Sequence, residues 1–119
     1  MTTDEIRDEL ARLKGWTRIC GVPGMLKEDG DLHLKWKLRH HEQWDHPMPP
    51  TLDGANAAVP EGWYWIRRYI DDVMTWTGCP GHEAVGLGLE HVRHVPDTGD
   101  PVHDLYALAL ACVRAEEKR

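Results

Sequence analysis

Hydrophobic residues recur at helical spacing near the start of the chain. Ile6, Leu10 and Leu13 are three or four positions apart, and most of the residues between them are charged. Such a pattern places the apolar side chains on one face of a helix. Thr2 followed three positions later by Glu5 has the form of a capping box, in which each side chain satisfies an amide at the helix start. The pattern therefore predicts an N-terminal helix with one buried face.

The period then changes to two. Leu32, Leu34, Trp36 and Leu38, within the predicted strand 32–38, alternate with His33, Lys35, Lys37 and Arg39. This alternation is typical of a strand with one buried face and one solvated basic face. Because lysines protect exposed sheet edges, we expect an edge strand, where a second copy or a partner strand could add. The basic face is also a candidate strip for anions. We expect residues 17–28 to be irregular and residues 40–50 to form a loop.

The stretch "TLDGANAAVPEGWYWIRRY", residues 51–69, combines a small-residue run, a Pro-Glu-Gly break and a tryptophan-rich alternation. Thr51 or Asp53 can cap a short helix that reaches about Val59. Pro60 and Gly62 end that helix, and a strand follows to residue 70. We interpret this stretch mainly as a structural corner where a helix leads into a strand.

The rest of the chain predicts two more strands and a final helix. Asp71 and Asp72 form a tight turn into a strand over 73–78, and residues 79–81 form another turn. A third strand covers about 85–95, and Asp100 caps a helix over about 101–117. Leu105, Leu108, Ala109 and Cys112 share a face of this helix. The predicted fold class is α+β, a single domain over 1–119 in which helices cover an antiparallel three-stranded meander plus a possible edge strand.

Composition narrows the function classes. The 119 residues are 41% hydrophobic and 29% charged, which is typical of one globular domain without a membrane span. The net charge of −6 disfavours generic nucleic-acid binding, which depends on neutralising phosphates. The three cysteines have no dense spacing, so a reducing compartment is expected. The chain contains no serine, which excludes serine-nucleophile mechanisms.

Two stretches resemble a known family. Residues 51–55 and 59–65, "TLDGA" and "VPEGWYW", resemble the "SLDAALALVPEGW-W" signature of small phage and prophage proteins. The closing "DLYALALACVRA" at 104–115 resembles their "PALALCAAALRA" tail, and Gly15-Trp16 fits their usual "GW". On these motifs the chain resembles the phage ABA sandwich domain proteins. The resemblance implies a helix-sheet-helix sandwich and a viral origin, and it supplies no catalytic residues. Gly54 and Asn56 depart from the pattern, since alanine or another helix former is usual there.

The strongest candidate binding residues lie on the predicted strand after Pro60. Aromatic rings could stack on a base while arginines contact phosphates, and the residues in question are Trp63, Trp65, Arg67, Arg68 and Tyr69. Alternation divides them, because Arg68 shares a face with Tyr64, Ile66 and Ile70 instead. Packing of half of these aromatic residues in the core is the competing interpretation.

Histidine and cysteine spacings predict neither a metal site nor a catalytic residue. Cys79 and His82 have the spacing Cys-x-x-His, and His91 and His94 have the spacing His-x-x-His. Residues three apart on a strand point to opposite faces, so these pairs converge only at a bulge or a strand end. A third group of candidate metal ligands, His40, His41 and His46, lies in the predicted loop. For catalysis, Cys79 with His82 and the Asp71-Asp72 pair lack an orienting third group, so we expect no enzyme and no cofactor.

These observations favour a phage accessory protein that binds without catalysis in the host-cell cytoplasm. It would sequester a host nucleotide signal or occlude a host defence protein, with self-association through an edge strand as a further expectation. A structural or assembly component of the phage, a metal-binding protein and a small enzyme are the alternatives.

Overall fold

A computed structural model describes residues 1–20, 34–81 and 91–117. Within these ranges the chain forms three helices and two antiparallel three-stranded sheets, so the predicted α+β class is confirmed. In chain order the elements are α1 (Thr3–Leu13), β1 (Thr17–Cys20), β2 (Leu34–Leu38), β3 (His41–Gln43), α2 (Leu52–Ala58), β4 (Trp63–Ile70), β5 (Val73–Pro80), β6 (Arg93–Pro96) and α3 (Pro101–Glu117).

Helix α1 begins with the predicted capping box. The Glu5 amide donates to the Thr2 hydroxyl at 3.2 Å, and the Thr2 amide donates to the Glu5 carboxylate at 3.2 Å. Ile6 and Leu10 are buried, and Leu13 packs against the same core from a partly buried position. The helical spacing of these residues therefore identified the buried face correctly.

The first sheet has the order β1-β2-β3, so the prediction that β2 is an edge strand is wrong. Trp36 of β2 lies between Arg18 of β1 and Gln43 of β3. The prediction failed because both flanking strands are short, and β3 is built from polar residues with weak strand propensity. Residues 17–20 and 41–43 were expected to be irregular and loop, and pairing with β2 makes them strands. Residues 21–33, and with them His33, lie outside the described ranges.

The second sheet is the predicted meander, β4-β5-β6. Asp71 and Asp72 both have positive φ, 50° and 64°, which a two-residue type I′ hairpin turn requires. Strand β5 continues through Cys79 to Pro80, which pairs with Trp63, so the turn predicted at 79–81 is wrong for its first two residues. Proline is tolerated there because it ends the strand. The predicted third strand is described only from residue 91, because residues 82–90 are outside the described ranges. It begins at Arg93 and ends at Pro96, so the prediction is wrong for residues 91 and 92.

Helix α3 is the centre of the core. Its first turn is capped as predicted, since the Val102 amide donates to the Asp100 carboxylate at 3.1 Å. The four residues predicted to share its apolar face are all fully buried: Leu105, Leu108, Ala109 and Cys112. This helix contacts α1, α2, β5 and β6. No helix within the described ranges is both long and apolar enough to cross a bilayer.

Helix α2 lies close to its neighbours because its residues are small. Thr51 caps it by accepting from the Gly54 amide at 3.0 Å, and Ala55 and Ala58 are buried. The Tyr106 hydroxyl of α3 donates to the Pro49 carbonyl beside this helix. A β-carbon on Gly54 would lie 2.7 Å from that carbonyl oxygen, so glycine permits the approach.

Candidate functional site

Two of the candidate binding residues on β4 are held by contacts inside the molecule. Trp63 is buried, and its indole nitrogen donates to the Glu116 carboxylate at 2.7 Å. Trp65 is half-buried, and its indole nitrogen donates to the Asn56 side-chain oxygen at 2.7 Å. Asn56 thus joins α2 to β4. Both tryptophans serve packing on the side of the sheet that faces the helices.

Arg67 is exposed, but its guanidinium already has two partners. Its Nη2 donates to the Asp97 carboxylate at 3.1 Å, and its central carbon lies 5.5 Å from the centroid of the Trp76 ring. Trp76 is buried and stacks at a tilt on Trp65, with ring centroids 5.3 Å apart. The structure therefore stacks Trp65, Trp76 and Arg67 in one cluster, in which Arg67 and Trp76 both bond to Asp97.

Asp97 determines what this cluster can bind. The Trp76 indole N–H donates to its carboxylate at 2.9 Å, and this bond, followed by that from Arg67, lowers the pKa of Asp97. The carboxylate is therefore negatively charged at neutral pH. A phosphate approaching Arg67 would be repelled by Asp97 and would have to break the existing ion pair. The cluster is poorly suited to the nucleotide binding expected from the sequence.

The two remaining candidate residues, Arg68 and Tyr69, lie on opposite sides of the sheet. Arg68 follows Arg67 on the strand, so its side chain lies on the opposite face of the sheet. Tyr69 shares the face of Arg67 and is 70% exposed near the hairpin turn. Four of the five candidate residues thus lie on the helix-facing side, where Trp63 is buried, and Arg68 lies on the opposite side of the sheet.

The side of the second sheet that faces away from α3 presents a group of exposed apolar residues. Gly78 identifies the helix-facing side, because a β-carbon there would lie 2.6 Å from the Cys112 sulfur of α3. Gly78 is paired with Trp65, so the residues on either side of Trp65 point the other way. We call this side the outer face and define it by Tyr64, Ile66, Arg68 and Val73. Tyr64, Ile66 and Val73 are 55%, 46% and 58% exposed.

The alternation along β4 predicts two sets of side chains on opposite sides of the sheet, but it does not show which set is exposed. The candidate site was placed mainly on the set with the tryptophans, and those tryptophans pack against the helices. A signal was present on the neighbouring strand, since the glycine at position 78 allows a helix to approach only on its own side of the sheet. Because Gly78 pairs with Trp65, it indicates that the side of the sheet carrying Trp65 is the side that packs against the helix.

The histidine candidates form separate contacts. His41 bonds to the Gln43 side chain at 2.9 Å, and His94 bonds to the Thr77 hydroxyl at 3.0 Å. Across the described ranges, no group of three or more His, Cys, Asp or Glu side chains is placed to hold a metal ion. Cys79 is half-buried, and its proposed partner His82 is outside those ranges.

Cys112, which is buried in the core, has an unreactive thiol. Burial raises the pKa of the Cys112 thiol to about 12, so it stays protonated at neutral pH. Because the thiolate is the reactive form, Cys112 contributes packing and not nucleophilic chemistry.

The face of β2 that carries Lys35 and Lys37 is only partly available to anions. The Lys35 ammonium lies 3.6 Å from the Glu42 carboxylate and 4.7 Å from the centroid of the Trp44 ring. An acidic neighbour and an aromatic ring thus already occupy one of the predicted basic residues. The described part of this strip offers less positive charge than its sequence suggests.

His46 fixes the loop after β3 to α1. The Met48 amide donates to its Nδ1 at 2.9 Å, so the ring proton is on Nε2, which bonds to Asp8 at 2.7 Å. Asp8 is also 3.6 Å from Arg18. Burial lowers the pKa of His46 more than the bond to Asp8 raises it. The neutral imidazole is therefore the form that the fold stabilises.

We expect stability to decrease as the pH falls below about 6.5, the usual pKa of an unfolded-state histidine. The unfolded chain takes up the proton more readily than the folded one there, so acid favours unfolding. Urea denaturation between pH 7.5 and pH 5 measures this slope. His46→Gln cannot titrate at this position and should show a shallower slope than the parent protein. Equal slopes for the parent and His46→Gln would contradict this role.

Comparisons with protein families, with curated proteins and with solved structures give no match. The resemblance to the phage ABA sandwich domain proteins therefore stays a prediction. The functional conclusion below depends on the geometry of the described residues.

Proposed function

We propose that this chain is a non-catalytic binding protein whose outer face contacts another protein. The observation that supports this function best is the exposure of Tyr64, Ile66 and Val73 together on one side of a sheet. Exposed apolar residues that are neighbours, as Tyr64 and Ile66 are along one side of β4, mark interaction surfaces. With the predicted phage origin, the partner is a host defence protein in the host-cell cytoplasm, which the binding would occlude.

The composition of the outer face suits a protein partner. Tyrosine and arginine are enriched among the residues that dominate binding energy at protein interfaces, and the outer face has one of each in Tyr64 and Arg68. A sheet also holds these side chains on a rigid backbone, which limits the entropy lost on binding.

Nucleotide sequestration has weaker support. Arg67 is paired with Asp97, and Trp76 is buried beneath that pair. Arg68, the other arginine, is on the opposite side of the sheet. A nucleotide would therefore find no surface on which an exposed ring and an unpaired arginine lie side by side among the described candidate residues.

Site-specific photocrosslinking tests the proposed function. Benzoylphenylalanine placed at Tyr64 should give a discrete crosslinked protein when the chain is produced in its host. The same group at Leu52, which is 47% exposed on α2, is the matched control and should give none. Ile66→Asp should abolish the crosslink from position 64 while the thermal unfolding curve stays cooperative. Identical crosslinking from positions 64 and 52 would contradict the proposal.

A further inference from the structure

Strand β4 lies at one end of its sheet, and within the described ranges one of its sides is unpaired, which we call the open side. The order of the sheet is β4-β5-β6, and none of the described strands pairs with the other side of β4. The Gly81 amide donates to the Gly62 carbonyl at 2.6 Å, which sets the alternation of the ladder. Even-numbered residues of β4 therefore bond to β5. The backbone N–H and C=O groups of Trp65, Arg67 and Tyr69 point toward the open side.

This edge lacks most of the devices that prevent strand addition. β4 is eight residues long, contains no proline or lysine, and pairs with β5 in eight consecutive steps without a bulge. Proteins usually protect exposed edges with short strands, prolines, lysines or bulges. The side chains beside the open edge also alternate regularly, so an added strand would have a defined register.

The charge on β4 indicates the chemistry of the added strand. The protein has a net charge of −6, yet β4 contains Arg67 and Arg68 and no acidic residue. Arg67 is neutralised by Asp97. For Arg68, no carboxylate within the described ranges lies at ion-pair distance. An incoming strand with a carboxylate opposite Arg68 would complete that pair.

We propose that the edge of β4 binds an acidic extended segment of a partner protein, which adds as an antiparallel strand. The segment has a carboxylate opposite Arg68 and apolar side chains opposite Ile66 and Tyr64. This inference rests on the proposed function, because it names the element of the partner that meets the outer face. A second copy of this chain is a poorer occupant, since β4 contains no acidic residue that could pair with the Arg68 of another copy.

A synthetic peptide tests the sign of the preferred charge. The probe is a capped eight-residue peptide of alternating Thr and Val with one Glu opposite Arg68, and the control has Lys in place of that Glu. Titration followed by NMR should shift the amides of Trp65, Arg67 and Tyr69. We expect the Glu peptide to bind about two- to fivefold more tightly, the range for one cross-strand pair. In Arg68→Glu the order of the two peptides should reverse. No shift at these amides, or an unchanged order, would overturn the inference.

A pair of variants at Tyr69 tests the backbone contact separately from the side chain. Tyr69→Pro removes an N–H that points to the open edge, and Tyr69→Ala removes the same exposed ring while keeping that N–H. We expect Tyr69→Pro to bind the Glu peptide about tenfold more weakly than Tyr69→Ala, because one interstrand hydrogen bond is lost. Equal binding by the two variants would overturn strand addition.

The outcomes separate this inference from the proposed function. A crosslink from position 64 that is the same in Tyr69→Pro and Tyr69→Ala would leave the protein-binding function intact and overturn strand addition. Loss of the crosslink in Tyr69→Pro alone would support it. Concentration-dependent dimerisation of the free chain that Tyr69→Pro abolishes would assign the edge to a second copy, which overturns the acidic partner.

Discussion

Replacing Trp76 with alanine is expected to lower the free energy of unfolding by about 3–5 kcal/mol, the usual range for a buried tryptophan. Trp76 is 4% exposed on the central strand of its sheet. Its ring stacks on Trp65 and lies under the Arg67 guanidinium, and its indole N–H donates to Asp97. Urea denaturation at neutral pH measures the loss.

Trp76→Phe is the matched control because it keeps an aromatic ring and removes the indole N–H. It should cost less than Trp76→Ala, since it loses the hydrogen bond to Asp97 but keeps most of the buried aromatic packing. If Trp76→Ala cost less than Trp76→Phe, the indole could not be the packed centre of this cluster. If both variants were neutral, Trp76 would be a surface residue, contrary to the structure.

Gly78→Ala is expected to lower the free energy of unfolding by about 1–3 kcal/mol, as overpacking of a core usually does. The new methyl group would lie 2.6 Å from the Cys112 sulfur and 3.3 Å from Leu108 Cδ1. Both neighbours are fully buried on α3, so relief requires the helix to move away from β5. Urea denaturation again measures the effect.

The double variant Gly78→Ala, Cys112→Ala separates this overlap from other effects of the added methyl group. Cys112→Ala removes the sulfur at the contact, so the double variant should be more stable than the sum of the two single losses predicts. Strictly additive losses would show that the methyl group and the sulfur do not compete for the same space.

Local signals in the sequence were sufficient for the starts of α1 and α3 and for the hairpin between β4 and β5. Thr2 with Glu5 marked the start of α1, and Asp100 with Pro101 marked the start of α3. The Asp71-Asp72 turn was predictable because aspartate tolerates positive φ. Each of these features depends on residues that are near one another in the chain.

The first sheet could not be predicted in full because two of its strands form only through their pairing with β2. The alternation around Trp36 identified β2, but β1 and β3 are only four and three residues long. Strands this short have no period to detect, and they form because β2 offers hydrogen bonds on both sides. The lysines of β2 consequently mark the face of a central strand and not an edge.

The sequence predicted which residues share a side of β4, but it did not predict which other residues they contact. Alternation correctly divided β4 into two sets, and the position of α3 decides which set is buried. Arg67 looked available for phosphate because its partner Asp97 is thirty positions away in the chain. The paired arginine and the exposed outer face together change the favoured ligand from a nucleotide to a protein.

The two sides of the second sheet thus have different tasks. The helix-facing side buries Trp63 and Trp76, while the outer face exposes Tyr64, Ile66 and Val73, the surface that we propose for a partner. The hairpin between β4 and β5 joins the two, since each strand contributes to both sides. Substitutions of Tyr64 or Ile66 can therefore weaken binding without unfolding the domain.

Amide hydrogen exchange of the free protein, resolved residue by residue along β4, tests whether this strand is an open edge. The amides of Tyr64, Ile66 and Arg68 should exchange slowly because they bond to β5, and those of Arg67 and Tyr69 should exchange fast. This alternation is the result that an edge available to a partner strand requires. Slow exchange at every one of these positions would show that the edge is already covered in the free chain, and would contradict binding of a partner there.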